Sequence, residues 1–192
     1  MVKKKWTYRL MKTHFDIEKI IEMGIINNEL DYERALIADR KLRLLGKEDV
    51  HFKNLRKKLR GIIENYEKKE WSVVESIDDN KLLESDKAEN LAELERQFLE
   101  TRKLEIRKKL KALEITQENL ASILGHKSKT HMSELMNGIK PFTLKDLIII
   151  NQLLKIEISI LIPVFLSKEE QTKINKAVEK LDKSKGMRIG YL

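Results

Sequence analysis

Cysteine is absent from the 192 residues. That excludes a disulfide framework, a thiolate nucleophile and a cysteine-ligated metal. It fits a reducing compartment, and the expected location is cytoplasmic. Glycine (7) and proline (2) are scarce, and aromatic residues are only 6% of the chain. A chain short of turn-formers and strand-favouring rings, yet rich in Leu, Ile, Lys and Glu, is expected to be all-α. No long uninterrupted apolar run occurs. The most apolar stretch, Leu147–Leu166, is broken by Asn151, Gln152, Lys155 and Glu157, and a bilayer core would penalise those charges heavily. It reads as two buried helices with a turn at Lys155–Glu157, so no membrane association is expected. Met1–Leu10 is basic, but no apolar run follows, so no signal peptide is expected. There is no Gly-rich phosphate loop and no nucleophile signature, and hence no expectation of an enzyme or a cofactor. His14, His51, His126 and His131 are scattered without a helical i, i+4 pair, so no metal site is expected.

What is present is charge, 36% of residues, with a formal net of +8. A basic balance is compatible with a nucleic-acid partner, but its distribution says more. Residues 72–100 hold nine acidic against three basic residues, while residues 101–145 hold ten basic against four acidic. The sign therefore reverses close to residue 100.

Four segments follow from the periodicity. Residues 1–71 read as an N-terminal helical module. Phe15, Ile17, Ile20, Ile21 and Met23 suggest a short helix stopped by Gly24. Asp31 looks like the N-cap of a helix to about Leu45 that buries Tyr32, Ala35, Leu36 and Leu42. Phe52, Leu55, Leu59, Ile62, Ile63 and Tyr66 recur at spacings of three and four, predicting a helix from Val50 to Trp71. Residues 72–100 read as an acidic linker and lead-in helix, with periodicity returning near Ala88 through Leu91, Leu94, Phe98 and Leu99. Residues 101–166 follow as a second module, beginning with Leu104, Leu110 and Leu113. Residues 167–192 read as a helix capped by Ser167, with Glu169 and Glu170 in its first turn, and a basic tail. Trp6 and Trp71 suit either packing or an interface.

Ile115–Pro163 is the informative stretch. Thr116 can cap a short helix carrying Leu120, Ile123 and Leu124 on one face, with the small Ala121 where a second helix crosses. Gly125 permits a tight turn. Ser128 can cap a second short helix in which Met132, Leu135 and Met136 face inward. Lys129, Thr130, His131, Ser133, Glu134 and Asn137 are then expected outward. Gly138 ends it, and Thr143 caps the next helix. Two short helices crossing closely, the second with a polar outer face, are what insertion into a DNA major groove requires.

Thr116-Gln117-Glu118-Asn119-Leu120-Ala121, Leu124-Gly125, Met132-Ser133 and Asn137-Gly138 resemble the helix-turn-helix of the Cro/repressor (XRE) family. The run Ser128–Gly138 followed by Lys140-Pro141-Phe142-Thr143-Leu144 is closer still to HigA-type antitoxins. In those a Tyr-Glu-x-Ala-Leu pattern opens a helical N-terminal segment, as Tyr32-Glu33-Arg34-Ala35-Leu36 does here. The resemblance implies a lambda-repressor-like five-helix DNA-binding domain over residues 101–166, preceded by the N-terminal helical module. It implies contact with double-stranded operator DNA through Gln117, Lys127, Ser128, Lys129, Thr130, His131, Ser133, Glu134, Asn137 and Lys140. Lys129, Thr130 and Glu134 fall at base-reading positions, and Asn137 and Lys140 at backbone positions. Glu134 could accept from a cytosine amino group or merely repel phosphate. The run Arg107-Lys108-Lys109-Leu110-Lys111 could touch phosphate or be an exposed face. The resemblance further implies a homodimer that represses its own operon and neutralises a basic RelE/HigB-like ribonuclease toxin. The residues before the helix-turn-helix, and the acidic Glu75–Glu100 stretch, would suit that partner. Ile156–Leu166 and the helix around Ile174–Leu181 are candidate dimer surfaces. Alternative expectations are a stand-alone regulator, and a protein-interaction adaptor that does not bind DNA.

Overall fold

Side-chain caps set where most of the helices begin. In the computed structural model, which describes residues 16–72, 78–164, 166 and 168–181, nine helices and no strand occur among the described residues. Asp16 caps α1 (Ile17–Met23), Asn28 caps α2 (Glu29–Leu45), and Asp49 caps α3 (Val50–Glu70). Asp78 caps α4 (Asp79–Ala112), Thr116 caps α5 (Gln117–Leu124), Ser128 caps α6 (Lys129–Met136), and Thr143 caps α7 (Leu144–Leu154). Each of these side chains accepts a hydrogen bond from an otherwise orphaned backbone N–H in the first turn. The short α8 (Ile158–Leu161) lacks such a cap. The cap of α2 is Asn28, three residues before the expected Asp31. Asn28 Oδ1 accepts from the Asp31 N–H at 2.8 Å, leaving Asp31 inside the first turn.

The segment read as a linker is mostly helix. From Asp79 onward it belongs to α4, which runs 34 residues without interruption. Of its acids, Glu84, Asp86 and Glu89 face solvent. Glu95 instead forms a two-pronged pair with Arg34, and Glu100 meets Lys41 at 2.9 Å. Those pairs bind α2 along the part of α4 expected as a lead-in helix. The buried face of α4 also departs from the expected leucine row. Ala88, Ala92, Arg102, Ile106 and Leu110 are buried, whereas Leu94, Leu104 and Leu113 are exposed. Small alanines let α2 approach closely, and Arg102 lies over the rings of Phe98 and Phe142 at 5.5 and 5.2 Å. Burial pushes the Arg102 guanidinium down to about 10.

Two cores result. One holds Ile17, Ile20, Ala35, Leu42, Phe52, Leu59 and Ile63 from α1–α3, and includes Ile139 from the turn after α6. The other holds Ile106, Leu110, Leu120, Leu124, Met132, Leu135, Phe142, Ile150, Ile156 and Leu161 from α4–α8. Both lie within one compact unit, residues 1–162. The polar edge of the first core is tied by stacked Tyr32 and Tyr66, 5.0 Å apart. Their hydroxyls donate to Glu67 and Glu29 at 2.9 Å each. Burial and these carboxylates push both phenols well above their ordinary range.

The expected two-helix reading of Leu147–Leu166 holds for α7 and α8, with Lys155 in a left-handed turn between them (φ 52). Ile156 and Leu161 are buried in the second core, so they are not available as surface. The second unit, residues 163–192, contains α9 (Lys168–Glu179), in which the Gln171 side chain donates to the Leu166 carbonyl at 2.8 Å. The expectations for Trp6, His14, Phe15, Glu75, Ser167 and residues 183–192, and for the side chain of Glu169, lie outside what is described. No described helix is long and apolar enough to cross a membrane.

Candidate nucleic-acid interface

The two short helices are built as the sequence pattern predicts. Thr116 and Asn119 form a reciprocal capping box at the start of α5. Gly125 closes α5 with φ 84, a left-handed conformation that favours glycine. The His126 N–H returns to the Ala121 carbonyl at 2.8 Å, tightening the turn. Ser128 Oγ then accepts from the His131 N–H at 3.2 Å and α6 begins. Leu120, Ala121, Leu124, Met132, Leu135 and Met136 are all buried where the pair meets the rest of its core. Ile123, expected on that inner face, is instead exposed. It stands three residues after Leu120, on the edge of a face that Leu120, Ala121 and Leu124 already fill.

The outer face of α6 departs further from expectation. Lys129 is exposed and pairs with Glu118 of α5 at 2.7 Å, and Lys127 is also exposed. Gln117 and Ser133 are half-buried. Glu134 and Asn137, expected outward, are only 2% and 6% exposed. The N-terminal helices cover them. Glu134 Oε1 lies 2.7 Å from His51 Nε2 at the start of α3, and Glu134 Oε2 lies 2.9 Å from Lys140 Nζ. His131 Nδ1 sits 3.3 Å from the same carboxylate, and Lys140 reaches Glu18 of α1 at 2.8 Å. The Thr130 hydroxyl donates to Asp49 Oδ2 at 3.2 Å. Asn137 accepts from Lys41 of α2 on its carbonyl, at 2.9 Å, and from Lys103 of α4 on Oδ1, at 2.8 Å. A backbone bond from the Ile17 N–H to the Ile139 carbonyl, 3.2 Å, anchors α1 beside the turn.

The electrostatics of this cluster follow from its partners. Burial works to raise the Glu134 carboxyl, but Lys140, His51 and then His131 outweigh it and hold it below the usual carboxylate range. Burial likewise works against the Lys140 ammonium, and the carboxylates of Glu18 and Glu134 more than compensate, raising it. Glu18, His51 and Glu134 offer ligand atoms all within 4.8 Å of one another, a set able to hold a metal cation. The ammonium of Lys140 already bridges the two carboxylates and supplies the positive charge there.

Gly138 fixes the end of this surface. Its φ is 68, and an added Cβ would lie 2.8 Å from Leu99 Cδ1. The turn therefore packs directly against α4, and an added side chain would have to move Leu99 as well as adopt a left-handed backbone. Downstream, Thr143 and Asp146 form a second capping box. His126 Nε2 lies 3.2 Å from Asp146 Oδ1, close enough for ion pairing but off the hydrogen-bonding direction. Arg107, Lys108 and Lys111 are exposed while Leu110 is buried, so that basic run is an exposed helix edge.

Of the ten residues expected at a DNA surface, Lys127, Ser128 and Lys129 are exposed. Thr130, His131, Glu134, Asn137 and Lys140 converge on α1–α3 or on one another. Glu18, Lys41, Asp49 and His51 belong to the same constellation and carry no local sequence signal, since His51 and Glu134 stand 83 positions apart. Comparison with known proteins gives no matching family model, no matching curated protein and no matching solved structure.

Proposed function

We propose that this chain is the antitoxin of a type II toxin–antitoxin pair. In this reading it neutralises a RelE/HigB-like ribonuclease and represses its own operon by sequence-specific DNA binding. The observation that carries the reading is the α5–Gly125–α6 pair. It comprises two capped eight-residue helices joined by a left-handed glycine, with α4, α7 and α8 completing their core. A pair of that kind presents a helix N-terminus, here Ser128–Lys129–Thr130, to a major groove. Lys127 and Lys129 supply exposed positive charge beside it. For the toxin, exposed Glu84, Asp86 and Glu89 with Leu82 and Leu83 offer a mixed acidic and apolar surface suited to a basic protein. One short helix reads few base pairs, so the DNA-bound form is proposed to be a homodimer.

Two experiments test the reading. Lys129→Ala should remove discrimination between operator and random duplex, and weaken binding with a shallower salt dependence. A small basic protein encoded by the adjacent reading frame should lose its ribonuclease activity when this chain is added, and Glu84→Lys with Glu89→Lys should restore it. A stand-alone regulator would bind DNA and leave such a protein untouched. The burial of Glu134 and Asn137 favours a second reading, a protein-interaction adaptor that uses the same helices without DNA. Absence of any salt-sensitive DNA binding would select it.

A further inference from the structure

The contacts over α6 have a chemical pattern of their own. Two of the groups expected to meet DNA, Thr130 and Lys140, face carboxylates, whereas Glu134 faces His51 and Asn137 faces Lys41 and Lys103. Asp49 takes the Thr130 hydroxyl and Glu18 takes the Lys140 ammonium, at 3.2 and 2.8 Å. These are the acceptor types that phosphate oxygens and base edges would offer. The one anion on α6 that would repel phosphate, Glu134, is covered instead by His51. The turn after α6 is engaged too, since Ile139 is fully buried in the core of α1–α3. We propose, resting on the DNA-binding reading above, that α1–α3 act as an internal mimic of DNA. They occupy the outer side of α6 and the turn after it, with Asp49 and Glu18 in place of nucleic-acid acceptors, so that this module and a duplex exclude each other.

The cover does not reach the whole helix. Lys129 remains exposed at the N-terminal end, and Asn137 at the other end is held from α2 and α4. A duplex could therefore make a first contact at Lys127 and Lys129 at the expense of only the exposed Lys129–Glu118 pair. Full insertion would need the Asp49, His51 and Glu18 contacts to break together. Apparent affinity is then reduced by the fraction of molecules in which they are broken. Whatever draws α1–α3 away raises DNA affinity, and whatever holds them down lowers it.

The test uses the full chain and two variants on the covering side, which leave every proposed DNA contact intact. Glu18→Gln removes one mimic charge. His51→Glu crowds a further carboxylate against Glu134 around Lys140. Labelled duplexes of about 30 base pairs, tiling the DNA upstream of the chain's own reading frame, serve as probes beside a random duplex of equal length. Hydrogen exchange of the α6 amides is measured on the same samples. The expected result is faster α6 exchange in both variants with tighter binding, about tenfold for His51→Glu and less for Glu18→Gln. Equal or weaker binding by variants whose α6 exchange has risen, while the native chain binds, overturns the mimicry alone. Unchanged α6 exchange in both variants overturns it as well, because the contacts then hold nothing in place. No salt-dependent binding by any of the three, with α6 exchange raised, overturns the DNA-binding reading and the mimicry with it.

Discussion

The helices α5 and α6 are the same length, both begin at a hydroxyl cap, and both bury three apolar side chains. They differ in what lies on the outer side. On α5, Glu118, Asn119, Ser122 and Ile123 face solvent. On α6, Thr130, Glu134 and the following Asn137 face partners contributed by α1–α4. The inner faces are a matter of core packing and are specified by apolar spacing. The outer faces are equally polar in sequence, yet one meets water and the other meets protein. A polar helix face thus records that its partner is polar, without recording whether that partner is solvent, nucleic acid or the chain's own side chains.

Paired substitutions sharpen this comparison. The largest effects belong to the inner faces and should be alike. Leu120→Ala and Leu135→Ala each remove a side chain that is 2% exposed or less, and each should cost about 2–5 kcal/mol in denaturant unfolding. The outer faces should then separate. Glu134→Gln loses a buried carboxylate that Lys140 and His51 both contact, and should cost about 1–3 kcal/mol. Glu118→Gln breaks an exposed pair with Lys129 and should cost about 0–1 kcal/mol. Similar losses for the two would erase the distinction drawn between the faces.

The Glu134 effect should also depend on pH. Its carboxyl is held below the ordinary range in the folded chain. Its contribution is therefore complete above the unfolded carboxylate value and fades as pH falls through the depressed folded value. The stability gap between the native chain and Glu134→Gln should be full at neutral pH and close in acid, below about pH 4. At the caps the effects are also small, and there the helices should again behave alike. Thr116→Ala and Ser128→Ala should each cost about 1 kcal/mol.

Much of this architecture could be read from the residues. The spacing Phe52, Leu55, Leu59, Ile62, Ile63 located α3, and Gly24 and Gly125 each stand in the left-handed conformation their positions demanded. Ser128 and Thr143 cap the helices they were expected to cap. What escaped was set by distant partners. Serine, aspartate and asparagine around residues 72–87 suggested a linker, but α4 gains its helical start from Asp78 and its footing from Arg34 and Lys41, more than 50 positions away. Nothing in its own stretch marks Arg102 for burial, which rests on the rings of Phe98 and Phe142 and on the Leu161 carbonyl that its guanidinium reaches at 3.4 Å. The cover over α6 depended on His51, Asp49 and Glu18. Their local patterns describe a cap and two ordinary polar positions.

The chain's lack of cysteine permits a direct measurement of that cover. Single-cysteine variants Thr130→Cys on α6 and Ser122→Cys on α5 can be labelled with a neutral maleimide, with the rates normalised to those of the unfolded chains. Cover of α6 by α1–α3 predicts that position 122 reacts nearly as fast as in the unfolded state and position 130 markedly more slowly. Adding His51→Glu should accelerate only position 130. Equal normalised rates at the two positions in the otherwise native chain would contradict that cover.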